Sequence, residues 1–190
     1  FLELLKLLSI SGAPKDNKLI AFTCSGGGAT MIADYSEKIS VQLPKFNQKS
    51  KKNLQNLLPD IATVSNPLDY TTPIWGQEHK TGPVFLKAIE ESTASIALLL
   101  QDYPAHGLDE SQTFYLNDAR AFIKAAKTLN LSAIICSTFP DNMKKSVRDI
   151  FLTQKIAPML GIEDTLESIK LASEFTAKRT KVERVTVTPL

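Results

Sequence analysis

The chain has little of what marks a metal, redox or membrane protein. Only two of its 190 residues are cysteines and only two are histidines. Cys24 and Cys136 each close an apolar run, Leu19-Ile-Ala-Phe-Thr-Cys24 and Ala133-Ile-Ile-Cys136, where a thiol acts as a small apolar side chain. No Cys-x-x-Cys pair and no Cys/His cluster has metal-ligand spacing, so buried, reduced, structural cysteines and no metal are the expectation. No apolar stretch approaches the roughly 20 residues that span a bilayer. Phe1–Leu8 is apolar but short, and no basic start with a small-residue cleavage site makes it a signal peptide. No membrane partner and a cytoplasmic location are therefore expected. Charge of one sign is lacking as well: 22 basic residues meet 20 acidic ones, a net +2. Such balance leaves no footprint for nucleic acid, and the cluster Lys45, Lys49, Lys51 and Lys52 reads as a solvated helix face.

What is present is enough for one core. With 190 residues and 43% hydrophobic content, one domain with its own core is expected, flanked by short segments. The chain opens without a Met and inside an amphipathic helix, with Phe1, Leu4, Leu5, Leu7 and Leu8 as an apolar stripe. It ends in a β-prone stretch, 182–190. Both features give the expectation of a piece of a longer polypeptide: a linker helix over 1–16, a domain over 17–178 and a tail over 179–190.

Between the ends, strands and helices alternate. Strands are expected at 19–23, 40–43, 61–64, 95–100, 133–136 and 156–160. Helices are expected at 29–38, 47–57, 83–91, 111–129, 142–152 and 163–175, the longest with Phe114, Ala121, Phe122 and Ala125 on one side. Several strand candidates are continuously apolar, the pattern of a parallel sheet covered on both faces. The fold class read from this is α/β: a doubly wound, mostly parallel, flavodoxin-like sheet with helices on both faces. Ligands of such sheets bind beyond the carboxyl ends of the strands, so the loops after Thr23, Val64, Leu100 and Cys136 are where function is to be sought.

The first of these loops is Ser25-Gly26-Gly27-Gly28, between a strand and a helix. Glycines let an anion approach the backbone without a Cβ in the way. The helix start adds unpaired N–H groups and the positive end of its dipole. Ser25 is placed to cap the helix or donate to the anion. No Gly-Lys-Ser/Thr follows, so this is not a P-loop, and Met31 stands where a dinucleotide fingerprint needs its last glycine. A tight turn without a ligand fits the spacing as well as a phosphate cradle does.

The run Ile20 to Asp34, with its apolar strand, Ser-Gly-Gly turn and downstream Asp, resembles the NDP-forming (ADP-forming) acyl-CoA synthetases, relatives of succinyl-CoA synthetase. Val64-Ser-Asn66-Pro-Leu-Asp69 is similar to that family's Ser-Asn-Pro-Val/Leu-Asp loop. Ile156 to Asp164 is similar, more weakly, to the strand leading into the last helix of a domain in the family. The resemblance covers about residues 1–178. It implies the second flavodoxin-like domain of a modular acid-thiol ligase. Its partners would be a CoA-binding domain, a domain carrying a phosphohistidine and an ATP-grasp unit, and the parent would use CoA and ATP or ADP with Mg. The domain alone is expected to bind no cofactor and to be inactive in isolation.

On that resemblance Ser25, Gly26, Gly27 and Gly28 are the phosphate-binding residues, and the loop bearing Asn66 and Asp69 flanks them. The catalytic histidine lies in another domain. His79-Lys-Thr-Gly82 is similar to the family's histidine motif, but it follows the Asn-Pro-Leu-Asp loop, where that motif does not belong, and reads as a surface histidine ahead of a helix. His106 sits in the loop after a buried strand, as a loop residue or a substrate contact. Asn66 and Asp69 equally fit plain loop shaping, since both side chains bond their own backbone in turns. Asp34 is an exposed helical carboxylate or faces a partner domain, and Trp75, the only tryptophan, is an interface anchor candidate. Two other classes compete with the enzyme: a non-catalytic regulatory or scaffolding module, and a flavin binder. The flavin reading suffers from the missing Ser/Thr-rich phosphate loop.

Overall fold

The computed structural model describes residues 1–103, 107 and 111–183, with side chains through 179. Five parallel strands form one sheet: β1 (Leu19–Thr23), β2 (Leu68–Asp69), β3 (Ile96–Leu100), β4 (Ser132–Ser137) and β5 (Ala157–Leu160). Their order is β2-β1-β3-β4-β5, every pairing parallel, which is the flavodoxin-like order with its reversal between β1 and β3. The helices are α1 (Leu2–Ile10), α2 (Gly26–Ile39), α3 (Gln48–Gln55), α4 (Glu78–Glu90), α5 (Gln112–Thr128), α6 (Lys145–Thr153) and α7 (Ile162–Glu183).

The continuously apolar strands follow from two cores. Alternate side chains leave a strand on opposite faces. Ile20, Phe22, Ala97, Leu99 and Ile135 enter one core with Val84, Phe85 and Phe122 from α4 and α5. Leu19, Ala21, Leu98, Ile134 and Met159 enter the other with Leu7 of α1, Ile32 of α2 and Leu166 of α7. Phe22, Phe85 and Phe122 meet edge to face with ring centroids 5.1 to 5.9 Å apart, a favoured aromatic geometry.

The β5 edge is covered by α1. Glu3 accepts the Leu160 N–H at 2.9 Å, Lys6 donates to the Pro158 carbonyl at 2.9 Å, and Ser11, just past the helix, accepts the Ala157 N–H at 2.9 Å. Side chains thus occupy backbone groups that would otherwise template another chain. Pro158 suits this edge because it has no N–H to offer a sixth strand.

Two expected strands are absent. Residues 61–64 form no strand, although Ala62 and Val64 are buried. The outer partner of β1 there is the Asn66 side chain, which accepts the Ala21 N–H at 3.1 Å and donates to the Leu19 carbonyl at 2.8 Å. A side-chain amide thus stands in for a main-chain ladder, and β2 begins only after the cis Asn66–Pro67 peptide. Around residues 40–43 only Gln42 bridges, to Lys18. The 182–190 stretch is helical to Glu183 and otherwise lies outside the described residues.

Candidate functional site

The turn after β1 opens into α2 without a kink. Ser25 is the N-cap in extended conformation, and its hydroxyl accepts the Gly28 N–H at a long 3.4 Å. The Gly26 and Gly27 N–H groups donate to no protein atom among the described residues, and Ser25, Gly26 and Gly27 are exposed. An unpaired, outward-facing helix start results. Gly28 has a different task. A Cβ there would lie 2.8 Å from Thr23 Oγ1 and 3.0 Å from a Leu100 methyl, so its bare Cα lets α2 close onto β1 and β3. A Cβ at Gly26 or Gly27 meets only ordinary contacts at 3.6 Å.

Beside the turn lies a cleft of about 380 Å³ at the carboxyl ends of β1, β3 and β4, bounded by Cys24, Ser25, Gly27, Gln101, Asp102 and Thr138 among others. Asp102 is held across it: Thr138 donates to its carboxylate through both N–H and hydroxyl, each at 2.8 Å. Among the described residues no Lys or Arg lines the cleft. Burial pushes the half-buried Cys24 thiol up to about 11, with the Asp118 and Asp69 charges adding to it, so Cys24 is no thiolate nucleophile at neutral pH. Cys136 is buried and pushed up by burial to about 12. A wider groove of about 820 Å³ runs between α4 and α5, lined by Gly82, Pro83, Ala121 and Ala125. Gln77, Glu78, His79, Asn117 and Lys124 also line it, but it lies apart from the polar groups converging at the strand ends.

The loop residues expected to flank the turn separate in the structure. Asp69 stays beside it, with one carboxylate oxygen 3.6 Å from the place of a Gly26 Cβ and the other accepting the Thr71 N–H at 2.9 Å. Asn66 is spent on β1 and also donates to the Pro44 carbonyl at 3.2 Å. Asp34 is exposed on α2, and His79 is exposed in the first turn of α4, along the wide groove. His106 lies outside the described residues. Trp75 packs on Phe114 and Tyr115 at centroid distances of 5.3 and 4.8 Å.

Sequence reasoning missed a buried polar network behind the cleft. Asp118, fully buried on α5, accepts the Tyr70 hydroxyl at 3.0 Å, the Gly76 N–H at 3.1 Å and the Thr81 hydroxyl at 3.0 Å. Gln101 donates to the Tyr70 oxygen at 3.1 Å and accepts the Tyr103 hydroxyl. Burial holds Asp118 above the usual carboxylate range, against the opposing pull of the Gly76, Tyr70 and Thr81 donors. The signal was an acid inside the apolar stripe of Ala121, Phe122 and Ala125. Phe114, placed on that stripe by its spacing, is half exposed and covers Trp75 instead.

No family model matches the chain. Over 66 residues, 35% of its length, it is 30% identical to the ADP-forming acetate–CoA ligase II subunit alpha of Pyrococcus furiosus, and the match spans 14% of that protein. Its fold is that of a crystal structure from Pyrococcus horikoshii, with TM-score 0.71 and 20% identity, covering 93% of this chain and 39% of the other. The dinucleotide forming acetyl-coenzyme A synthetase 1 of Ca. Korarchaeum cryptofilum has the same fold. It superposes with TM-score 0.67 in its complex with phosphate and ADP and 0.68 in its apo form, at 19% identity, over 98% of this chain and 39% of that one. Among the described residues no helix is long and apolar enough to cross a membrane. In local sequence the chain is similar to an ADP-forming acetate–CoA ligase subunit, in fold it is similar to an acetyl-coenzyme A synthetase, and it spans well under half the length of either.

Proposed function

We propose that this domain works within a multidomain ADP-forming acyl-CoA synthetase and stabilises a phosphoryl group in transit between a partner's histidine and an acyl phosphate. The observation that carries the reading is the free, exposed N–H pair of Gly26 and Gly27 at the start of α2, opening at the carboxyl edge of the sheet. Phosphoryl transfer depends mainly on positioning and charge stabilisation, so a domain with no nucleophile contributes by aiming donors at the moving group. Ser25, Gly26 and Gly27 are the donors in this reading, and Gly28 sets the approach of the helix. CoA, the nucleotide with Mg and the phosphorylated histidine belong to CoA-binding, phosphohistidine and ATP-grasp partner domains, in the cytoplasm.

A second reading, a non-catalytic regulatory or scaffolding module, draws on Asp69 and Asp102. Two carboxylates near the turn, with no cation among the described lining residues, oppose a free phosphate dianion. Titrating inorganic phosphate while following amide NMR shifts separates the two. Saturable shifts confined to Gly26–Ala29 support the phosphoryl role. Unmoved amides there, at phosphate levels that saturate ordinary helix-start sites, favour the module.

A further inference from the structure

The Asp118 carboxylate has no part in the function just proposed, yet it is wholly buried and accepts from three separate pieces of chain. Tyr70 and Gly76 are the two ends of the loop after β2, and Thr81 is in the second turn of α4. Between the two ends, Thr71 holds φ 68° and ψ 151°, a region that side-chain-bearing residues adopt only where the surroundings fix them. Gly76 holds φ +73° directly beneath Phe114, which would meet a Cβ at 2.5 Å. From Tyr70 the bonds continue to Gln101, which lines the cleft, and on to Tyr103.

We infer that Asp118 is the positioning residue of the cleft: from α5 it pins both ends of the Tyr70–Gly76 loop and, through Tyr70 and Gln101, ties that loop to the end of β3. The loop that follows Asp69, itself beside Gly26, and the strand end that brings Gln101 and Asp102 to the cleft are thereby held in register by a single side chain. The functional half of this statement rests on the cleft being the site; the mechanical half does not. The pin works through its acceptor geometry. Oδ1 accepts from Gly76 and Thr81, and Oδ2 from Gly76 and Tyr70, so both oxygens are needed as acceptors. Asp118→Asn keeps the shape but turns an NH₂ toward one pair of donors whichever way it is oriented.

Trp75 makes the pin visible, because it is the only tryptophan and lies inside the loop. In D118N, urea unfolding stays cooperative, Trp75 emission shifts to the red, and its acrylamide quenching constant rises about threefold as the loop opens locally. Hydrogen exchange at the Gly76 amide accelerates about tenfold, beyond any change at Leu98 and Ile134 in the sheet. Unchanged quenching and exchange in a folded D118N overturn the inference. So does an acceleration shared equally by Leu98 and Ile134, the signature of a merely structural residue. If D118N does not fold, Thr81→Val decides, since it removes one donor with little change of shape: a smaller rise in quenching is expected, and none overturns the pin. Inorganic phosphate added to both proteins keeps the two ideas apart. Gly26–Gly28 amides unmoved in the wild type sink the anion reading and leave Trp75 to judge Asp118. Wild-type binding that D118N matches overturns the functional half.

Discussion

At the scale of single residues, the three glycines of the turn divide into two kinds. None has a positive φ, so their lack of a side chain is used for space. At Gly28 the space is taken by protein, with Thr23 and Leu100 against the bare Cα, whereas Gly26 and Gly27 leave theirs to solvent. Gly28→Ala therefore forces α2 off β1 and is expected to cost about 1–3 kcal/mol in urea unfolding, the range for overpacking a close contact. Gly27→Ala is expected to change stability by less than about 0.5 kcal/mol, as surface substitutions do, while weakening any phosphate binding. Equal costs at the two positions would contradict the division. The sequence could show three glycines at a helix start but not which one packs, because that depends on Leu100, whose arrival beside the turn is a tertiary event. The same limit hid the fate of Asn66: its type and its proline neighbour announced a loop, and only the fold reveals that its amide completes a strand.

At the scale of elements, periodicity located the long helices, and the boundaries moved where tertiary bonds intervened. The helix expected from Pro83 begins at Glu78, which places the proline in its interior. Its first turns are held from outside, by Asp118 on Thr81, so the donor that Pro83 lacks is tolerated. Helix α1 was legible as an apolar stripe, but its role was not, because its polar residues do the edge work. Ser11 shows this best: its hydroxyl accepts from Ala157 and donates to the Ala133 carbonyl at 2.9 Å. Ser11→Ala leaves a part-buried N–H of β5 without a partner and is expected to lower stability by about 1–3 kcal/mol. Exchange at the Ala157 amide should accelerate more than at Leu98 on β3. A uniform acceleration would mean that Ser11 does no more at the edge than fill space.

At the scale of the whole molecule, the fold class was readable because continuously apolar strands alternating with helices leave few topologies open. The polar interior was not readable, and it gives the protein a pH dependence of mixed sign. Glu91 is held below the usual carboxylate range by hydrogen bonds from Ser50 and Asn53, which tie α3 to the end of α4. Burial pushes Asp16 up, but the Ser95 hydroxyl and the Lys18 backbone and ammonium groups outweigh it and hold Asp16 low. Both contribute stability present above the ordinary carboxylate value and lost as pH falls through their lowered folded values. Asp118 works the other way. Its folded value is raised, so the native state binds the proton more readily than the unfolded chain, and stability from this group grows as pH falls from the raised value toward the ordinary one. D118N lacks that gain. As pH falls through the raised value toward the ordinary Asp value of about 3.9, the wild type should therefore widen its urea-unfolding advantage over D118N. Below that range both proteins lose stability together as Glu91 and Asp16 protonate. A gap that stays constant from pH 7 to mild acid would mean that the three donors outweigh burial at Asp118, and that the pin carries its charge at no more cost in the fold than in water.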